Sequence, residues 1–568
     1  MSEKKIVIIG GVAGGATAAA RLRRLDERAH IVILERSGYV SYANCGLPYY
    51  VGGTITDRSK LTLQTPESFR ARFNIDVHVH QEAVSIDRAQ QVVHVRNLED
   101  KSTYDEPYDE LILSPGARAV VPPLPGVDSE RLFTLRTVED TFAIHDFIER
   151  AQAKRATVVG AGFIGLEMTE NLCERGIDVT LVQRDPQAML PIDADMAPFV
   201  HNELRRNGVE LHLNATVTGF VEKDDALVTQ LADGQKFAAD LVILAIGVTP
   251  DSTLAKDAGL ELGLRGSIRV DEHLRTSDSH IFAVGDAIEV RHVVTGRPAL
   301  IALAGPANKQ GRIAADNICG RKTTFTGSQG SSVLKLFDLT ITSTGLNARQ
   351  AAQVGIDFDA VVLSPASHAT YYPGAGSMTL KVLFERSGER RGRIIGAQIV
   401  GTDGADKRID VLATAIRAQM GASDLTELDL AYAPPYSSAK DPVNMAGYLI
   451  ENILDGLVKQ VSWGEATNLP EDAVLVDVRT PGEVARGGIE GSLRIPLDEL
   501  RDRTGELPRD KTLYVHCQSG LRSYVACRML SQLGFSCANV AGGYGFYAAS
   551  ALDRALAGNA AGPCGMVS

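Results

Sequence analysis

Two glycine turns constrain this chain more than any other feature. The first, GGVAGG at Gly10–Gly15, stands between an apolar run, Lys5–Ile9, and an Ala/Arg-rich stretch reaching about Arg28, with a second apolar run at Ile31–Glu35. Strand, glycine turn, helix and strand in that order form the βαβ unit that holds a dinucleotide. Glycine allows the tight turn, and the N–H groups at the helix start face a pyrophosphate. A second copy starts at Ala156, with Thr157–Val159, the turn GAGFIG at Gly160–Gly165, a helical stretch to about Arg175 and Val179–Val182. Two dinucleotides are therefore expected.

The 568 residues exceed one hydrophobic core, and 44% hydrophobic with 23% charged residues is the balance of a soluble globular chain of several domains. Pro122–Pro125 separates the two units, and IFAVGD at Ile281–Asp286 follows the second, so the first domain resumes after the second is inserted. Strand-like runs at Val333–Phe337, Leu380–Phe384 and Ile394–Val400, with a helix from about Lys407 to Met420, predict an α+β module closed by the loop YAPPYSSAKDPVN. Tyr448–Gln460 reads as a connecting helix. A small α/β unit follows from Leu469, with Leu475–Val478, Thr512–His516 and a helix from about Arg522 to Leu533, and the last stretch from Ala557 is expected to be disordered.

A net charge of -12 argues against a nucleic-acid partner, which needs clustered Lys and Arg. The longest apolar runs, such as Ile6–Ile9 and Leu241–Ile246, are strand-sized, which argues against a membrane, and the first strand begins too near Met1 for a signal peptide. A cytoplasmic protein is expected. Seven cysteines without paired short spacing suggest neither a disulfide framework nor a metal site.

In the first unit Gly10 makes the turn and Gly15 lets the helix pack on the strand. Glu35, twenty residues beyond Gly15, can bond both hydroxyls of a ribose, while Val12 departs from the usual middle glycine. LILSPGA at Leu111–Ala117, including Gly116, and the aspartate Asp286 complete a set of three segments that resembles the flavoprotein disulfide reductases. The resemblance implies FAD and NAD(P)H on tandem Rossmann-like domains, with Glu35 on the adenosine ribose and Asp286 on the ribityl chain. In the second unit Gly160, Gly162 and Gly165 give the full fingerprint for the nicotinamide cofactor. Gln183 and Arg184 follow its second strand, and a guanidinium there can pair with a 2'-phosphate, so NADPH and NADH both stand open.

SYANCGLPY at Ser41–Tyr49 carries a cysteine, Cys45, expected at a helix start, where the positive end of the dipole favours a thiolate. The position five residues on is Tyr50 rather than a second cysteine, so Cys45 must cycle against an external sulfur. This segment, with GGVAGGAT, GADKRIDV at Gly404–Val411 and the YAPPYSSAKDPVN loop, closely resembles the coenzyme A-disulfide reductases over nearly all of residues 1–447. The resemblance implies that Cys45 alternates between thiolate and a mixed disulfide with coenzyme A. It further implies that Tyr371 and Tyr432 reach a partner subunit's active site in a homodimer, and that Ala13, Arg21, Arg24, Ser41 and Asn44 line the coenzyme A site. Arg21 and Arg24 share a helix face suited to phosphates. The related NADH oxidases and peroxidases carry a histidine where this chain has Ala13.

HCQSGLRS at His516–Ser523, preceded by Asp477 in VDVRTPGE, puts Cys517 at a strand end before a tight loop and helix. Backbone N–H groups and Arg522 there would cradle an anionic persulfide. The segment 466–555 resembles single-domain rhodaneses, although the usual GHI histidine is Gly488. Cys173, Cys319, Cys527 and Cys537 read as packing residues, and Cys564 as a tail cysteine.

The resulting fold class is α/β: tandem Rossmann-like FAD- and NAD(P)-binding domains, an α+β dimerisation domain and a C-terminal α/β rhodanese domain. The expected boundaries are 1–120 and 249–326 for FAD, 121–248 for NAD(P), 327–447 for dimerisation, 448–465 for a linker helix, 466–555 for rhodanese and 556–568 for the tail. The function expected is NAD(P)H-dependent reduction of thiol-bound sulfur, from persulfide or polysulfide and from coenzyme A disulfide, with sulfane sulfur carried on Cys517. Two other readings stand beside it, a single-cysteine NADH oxidase or peroxidase and a sulfur-carrier or sensing protein.

Overall fold

The computed structural model describes residues 4–558. The expectations about the end of the tail and Cys564 lie outside them. The chain forms two compact units, one of residues up to Ala188 with Asn207–Gly330, the other of Met189–Arg206 with residues from Ser331 on. Among the described residues no helix is long and apolar enough to cross a membrane.

The first unit holds two parallel five-stranded sheets. In one, Ile281–Ala283, Glu110–Leu113, Lys5–Ile9, His30–Leu34 and Asp76–His78 lie side by side in that order. The inner strands are continuous β-branched and Leu runs because both faces are covered, as in Ile6–Ile9 and Ile31–Leu34, all under a tenth exposed. The pairing of Ile281–Ala283 with Glu110–Leu113 brings the chain back to the first sheet after the second. That second sheet runs Leu132–Phe133, Leu241–Leu244, Arg155–Val159, Asp178–Val182 and Glu210–His212.

The first helix is Ala13–Leu25 and stops short of Arg28. It stops where Asp26 takes an extended conformation and accepts the Arg28 N–H. Arg23, a basic residue in that last turn, is buried and donates to the carbonyls of Phe73, Asn74, Asp26 and Glu27. It thereby joins the helix end to the loop that leads into Asp76–His78.

The second unit opens with the helix Ala197–Arg206 and an antiparallel sheet ordered Ser332–Leu336, Leu339–Gly345, Ile394–Gly401, Met378–Glu385 and Phe358–Leu363. Met378–Phe384 and Ile394–Gly401 are buried throughout, since helix Ala405–Arg417 packs on this sheet. The connecting helix expected over 448–465 is different in the structure. Helix Pro442–Leu454 starts earlier, capped by Asp441, and ends before Gly456, whose φ of +70° suits glycine. Gln460–Val461 is then a strand paired in parallel with Cys537–Val540, and Trp463–Thr467 is a further short helix. The small α/β sheet thus gains an edge before residue 466, with the order Gln460–Val461, Cys537–Val540, Thr512–His516, Ala473–Asp477 and Leu493–Arg494.

This small sheet is docked within its unit. The Gln460 amide accepts from the Val362 N–H at 3.0 Å and donates to the Val362 carbonyl at 3.2 Å, completing the free edge of Phe358–Leu363. Asn202 donates to the Ala549 carbonyl, and Asp553 pairs with both His201 and Arg205. The C-terminal helix from Gly543 is therefore tied to helix Ala197–Arg206 by a carboxylate that holds two basic side chains.

Candidate active sites on two sulfur loops

Three glycine-bearing segments meet at the first nucleotide turn. A Cβ on Gly10 would overlap the Ser114 carbonyl oxygen, one on Gly15 would overlap that of Gly10, and one on Gly14 would stand 2.8 Å from a Val284 methyl. The turn thus meets the end of LILS backbone to backbone and the end of IFAV through the Val284 side chain, leaving a cradle that side chains would fill. Glu35 closes it. Its Oε2 accepts from the Gly11 N–H at 2.8 Å and its Oε1 from the Ser37 N–H at 2.9 Å. Each oxygen keeps a second lone pair for a ribose hydroxyl. Burial, opposed by those two N–H groups, pushes its carboxyl up from the ordinary range.

The second turn repeats the construction with an amide. Gln183 Oε1 accepts from the Ala161 N–H at 3.0 Å, and its Nε2 donates to Asp185 at 2.9 Å. No atom lies within 4 Å of where a Gly162 Cβ would stand, so the backbone there is open to a ligand. Arg184 is exposed, and Asp185, an acid the sequence reading passed over, lies beside it.

Cys45 lies in a 3-10 turn, Asn44–Gly46, just ahead of the six-residue helix Leu47–Gly52. Cys45 thus stands at the helix start where it was expected, but its thiol is held up there rather than lowered. Although the residue is open to solvent, partial burial of the thiol is enough to push it up from 9.0. Glu167 pushes in the same direction and Arg136 in the opposite one. Glu167 sits on helix Phe163–Glu174, which packs on Leu47–Gly52 through Asn171 against Gly52 and through Arg175, donating to the Val51 carbonyl at 2.6 Å. Burial, then Glu170, lifts Glu167 to about 7.

Arg136 was not singled out by its sequence context, yet it links the segments around Cys45. It donates to Asp286 Oδ2 at 2.9 Å and to the Ala117 carbonyl at 3.0 Å, and a Gly116 Cβ would stand 3.1 Å from it. With its amide oriented to satisfy both partners, Asn44 donates to the Arg136 carbonyl at 3.1 Å and accepts from its guanidinium at 3.3 Å. Ser41 takes a left-handed φ of 48° and donates its N–H to the Gly11 carbonyl, while Ala13 opens the first helix. A thiol, the two carboxylates of Glu167 and Asp286 and the Arg136 guanidinium therefore converge beside a dinucleotide cradle.

Comparison with known proteins agrees with this arrangement. The model of the pyridine nucleotide-disulphide oxidoreductases matches residues 4–311, its dimerisation domain matches 331–442 and a rhodanese-like domain matches 462–549. The chain belongs to the pyridine nucleotide-disulphide oxidoreductase family. Family membership implies FAD and NAD(P)H, and the glycine cradle with Glu35 and the open turn at Gly162 fit those groups. A coenzyme A disulfide reductase of Staphylococcus haemolyticus is 38% identical over 446 residues, 78% of this chain and 99% of the relative. The crystal structure of reduced Bacillus anthracis CoADR-RHD superposes with a TM-score of 0.94 at 50% identity, covering 98% of this chain and 99% of that one. A NAD-dependent persulfide reductase from A. fulgidus gives 0.91 at 39%, covering 96% and 100%.

In this oxidoreductase the residues expected at a coenzyme A site divide. Arg24 is exposed, but Arg21 is held by Asp316, with nitrogens at 2.8 and 2.7 Å from one oxygen, joining the first helix to Ala304–Ile318. Arg21 is thus committed to helix packing, which corrects the expectation of two free phosphate ligands. On the dimerisation domain the Tyr371 and Tyr432 hydroxyls hydrogen-bond at 2.7 Å, and this bond raises the Tyr432 phenol above 10.0.

On the rhodanese domain Cys517 is fully buried, at the end of strand Thr512–His516. Its sulfur accepts from the Gly520 N–H at 3.1 Å and the Ser523 hydroxyl at 3.4 Å. Gly520 has a φ of +97° and starts helix Leu521–Gln532. Arg522 does not close the cradle as expected, because both its terminal nitrogens bind Glu483. Beneath the loop Asp477 and Arg479 form a fully buried pair, and the Arg479 guanidinium carbon stands 3.8 Å over the Tyr544 ring. Cys173, Cys319, Cys527 and Cys537 are free thiols within or at the ends of helices and strands. The Cys537 thiol donates to the Cys527 carbonyl at 3.3 Å.

Proposed function

We propose that the chain is a flavin-dependent NAD(P)H:persulfide and polysulfide reductase that also opens coenzyme A disulfide, with a rhodanese domain carrying sulfane sulfur on Cys517. The observation that carries this reading is the solitary, solvent-open Cys45 beside the Arg136–Asp286 pair. Tyr50 stands where a second cysteine would be needed for an internal disulfide.

Each residue has a stated task. Cys45 thiolate attacks the coenzyme A-side sulfur of coenzyme A persulfide, the S–S bond breaks and hydrosulfide leaves, giving a Cys45–coenzyme A mixed disulfide. Two electrons and one proton then return Cys45 to its thiolate and release coenzyme A as its thiol. FAD, when bound, would supply those electrons from the nicotinamide. Gly10, Gly15, Glu35, Gly116 and Asp286 hold the flavin, and Gly160, Gly162, Gly165 and Arg184 the nicotinamide cofactor. Ala13, Ser41, Asn44 and Arg24 line the coenzyme A site, with Arg21 free to contribute only by leaving Asp316. Tyr371 and Tyr432 meet the sulfur in a second copy of the chain, so a homodimer working in the cytoplasm is proposed. The free thiols and the dimerisation-domain match support that assembly and a reducing compartment.

Support also comes from relatives named as a coenzyme A disulfide reductase and a persulfide reductase, the second with nearly full coverage of both chains. The test is a set of steady-state rates with NADH and with NADPH against coenzyme A persulfide, coenzyme A disulfide, polysulfide and peroxide. Turnover with the sulfur acceptors above that with peroxide supports the reading. Peroxide turnover alone, indifferent to coenzyme A, overturns it.

A further inference from the structure

The GADKRIDV motif at Gly404–Val411 lies on the dimerisation domain. Its Arg408 lies on helix Ala405–Arg417 and is 1% exposed, among the largest fully buried side chains described. The guanidinium donates to the Ser367 carbonyl at 3.0 Å, the Ser437 hydroxyl at 3.0 Å and the Tyr436 carbonyl at 3.4 Å. It also donates to Asp441 Oδ2 at 3.2 Å and the Gly404 carbonyl at 3.2 Å.

Those acceptors belong to two loops. Ser367 begins the loop that carries Tyr371, and Tyr436, Ser437 and Asp441 belong to the loop that carries Tyr432. The loops are fastened again around the same guanidinium. Ala369 donates its N–H to the Ser437 carbonyl at 3.1 Å, and the Ser437 hydroxyl donates to Asp441 at 2.7 Å. Beyond this buried hub both phenols project outward, Tyr371 at 75% and Tyr432 at 47% exposure, with their hydroxyls 2.7 Å apart. Two exposed side chains on separate loops hold that distance only if the loop bases are fixed, and the Arg408 fork spans both bases.

We propose that Arg408 is a positioning residue for the sulfur half of the reaction, setting the Tyr371–Tyr432 phenol pair by locking the two loops that bear it. This rests on the reading that the phenols meet Cys45 in a second copy of the chain. Arg408 acts through geometry, and Asp441 balances its charge within the hub.

The test is rapid mixing of purified full-length holoenzyme, following flavin absorbance in each half-reaction. R408M should slow reoxidation by coenzyme A persulfide about tenfold and leave reduction by NADH within about twofold, and R408K, which keeps the charge opposite Asp441 but not the fork, should restore only part of the loss. In a Y371F/Y432F background R408M should add less than about twofold, because the pair it positions is gone. S437A, which removes one hydroxyl from the hub and keeps the ion pair, should slow reoxidation about threefold, and it serves where R408M does not fold. Equal slowing of both half-reactions, an R408M loss that persists in the phenol-free background, or an unchanged S437A would overturn the role of Arg408 alone. An unchanged reoxidation rate in Y371F/Y432F would overturn the phenol reading itself and the positioning role with it.

Discussion

Arg522 sends its two terminal nitrogens to the two carboxylate oxygens of Glu483, at 2.8 and 2.6 Å. The helix that follows Cys517 is thereby tied to the short helix Pro481–Ala485. The Arg522 hydrogen bonds hold Glu483 at about 2, against 4.5 for a free glutamate. A depressed carboxyl contributes its stability fully above the unfolded value and loses it as pH falls toward the folded one. E483Q should therefore cost about 1 kcal/mol at pH 7, a modest figure for a pair partly open to solvent, and the difference should shrink from pH 5 downward. Thermal unfolding of the two proteins across that range checks it. A difference that grew on acidification would contradict the pairing.

The rhodanese dock depends on Asp553 in the same way. Burial raises its carboxyl, but His201 and Arg205 outweigh that and the net shift is downward from 3.8. D553N should loosen the C-terminal helix from helix Ala197–Arg206 at neutral pH, with faster amide exchange in both. The wild type should reach the same state only below about pH 4. Unchanged exchange in D553N would show that the Gln460–Val362 and Asn202–Ala549 bonds hold the dock without it.

Cys45 should titrate above 9.0, and E167Q should bring its alkylation midpoint down, since Glu167 is the neighbouring charge that most disfavours the thiolate. R136M should move the midpoint up. Glu167 itself, raised to about 7, binds a proton more tightly in the folded chain. Its contribution is thus present below the unfolded value and falls as pH rises through 7, so E167Q should gain stability relative to wild type on going from pH 5 to pH 8. A midpoint unmoved by E167Q would remove Glu167 from the sulfur's surroundings.

What the sequence made legible was whatever local backbone demands dictate. Gly10, Gly15, Gly160 and Gly165 could be placed because a Cβ at each meets a carbonyl oxygen, which no substitution hides. The sulfur loops were legible as cysteines at turn and strand ends. Arg136 was not, because its partner Asp286 lies 150 residues away and no local pattern joins them. Arg21 was misread for the same reason, since Asp316 is 295 residues distant. The strand Gln460–Val461 has two residues, too few to show any period, and it was absorbed into a linker helix.

Arg184 gives the cofactor prediction. R184A should weaken NADPH at least tenfold more than NADH if its guanidinium meets a 2'-phosphate, as measured by Kd for each nucleotide on the oxidised holoenzyme. The nearby Asp185 works against that phosphate, so D185N should improve NADPH binding severalfold. Equal effects on both cofactors would make Arg184 a surface charge.

On the proposed function one cysteine, Cys45, does the sulfur chemistry beside the flavin. In C45S, FAD should remain bound and NADH should still bleach it, while reoxidation by coenzyme A persulfide and by coenzyme A disulfide should fall at least a thousandfold, because the nucleophile is gone. C517S should leave reoxidation by free coenzyme A persulfide intact and abolish transfer from thiosulfate. Reoxidation of C45S by coenzyme A persulfide at more than about a tenth of the wild-type rate would contradict the account, since electrons would then reach sulfur without Cys45.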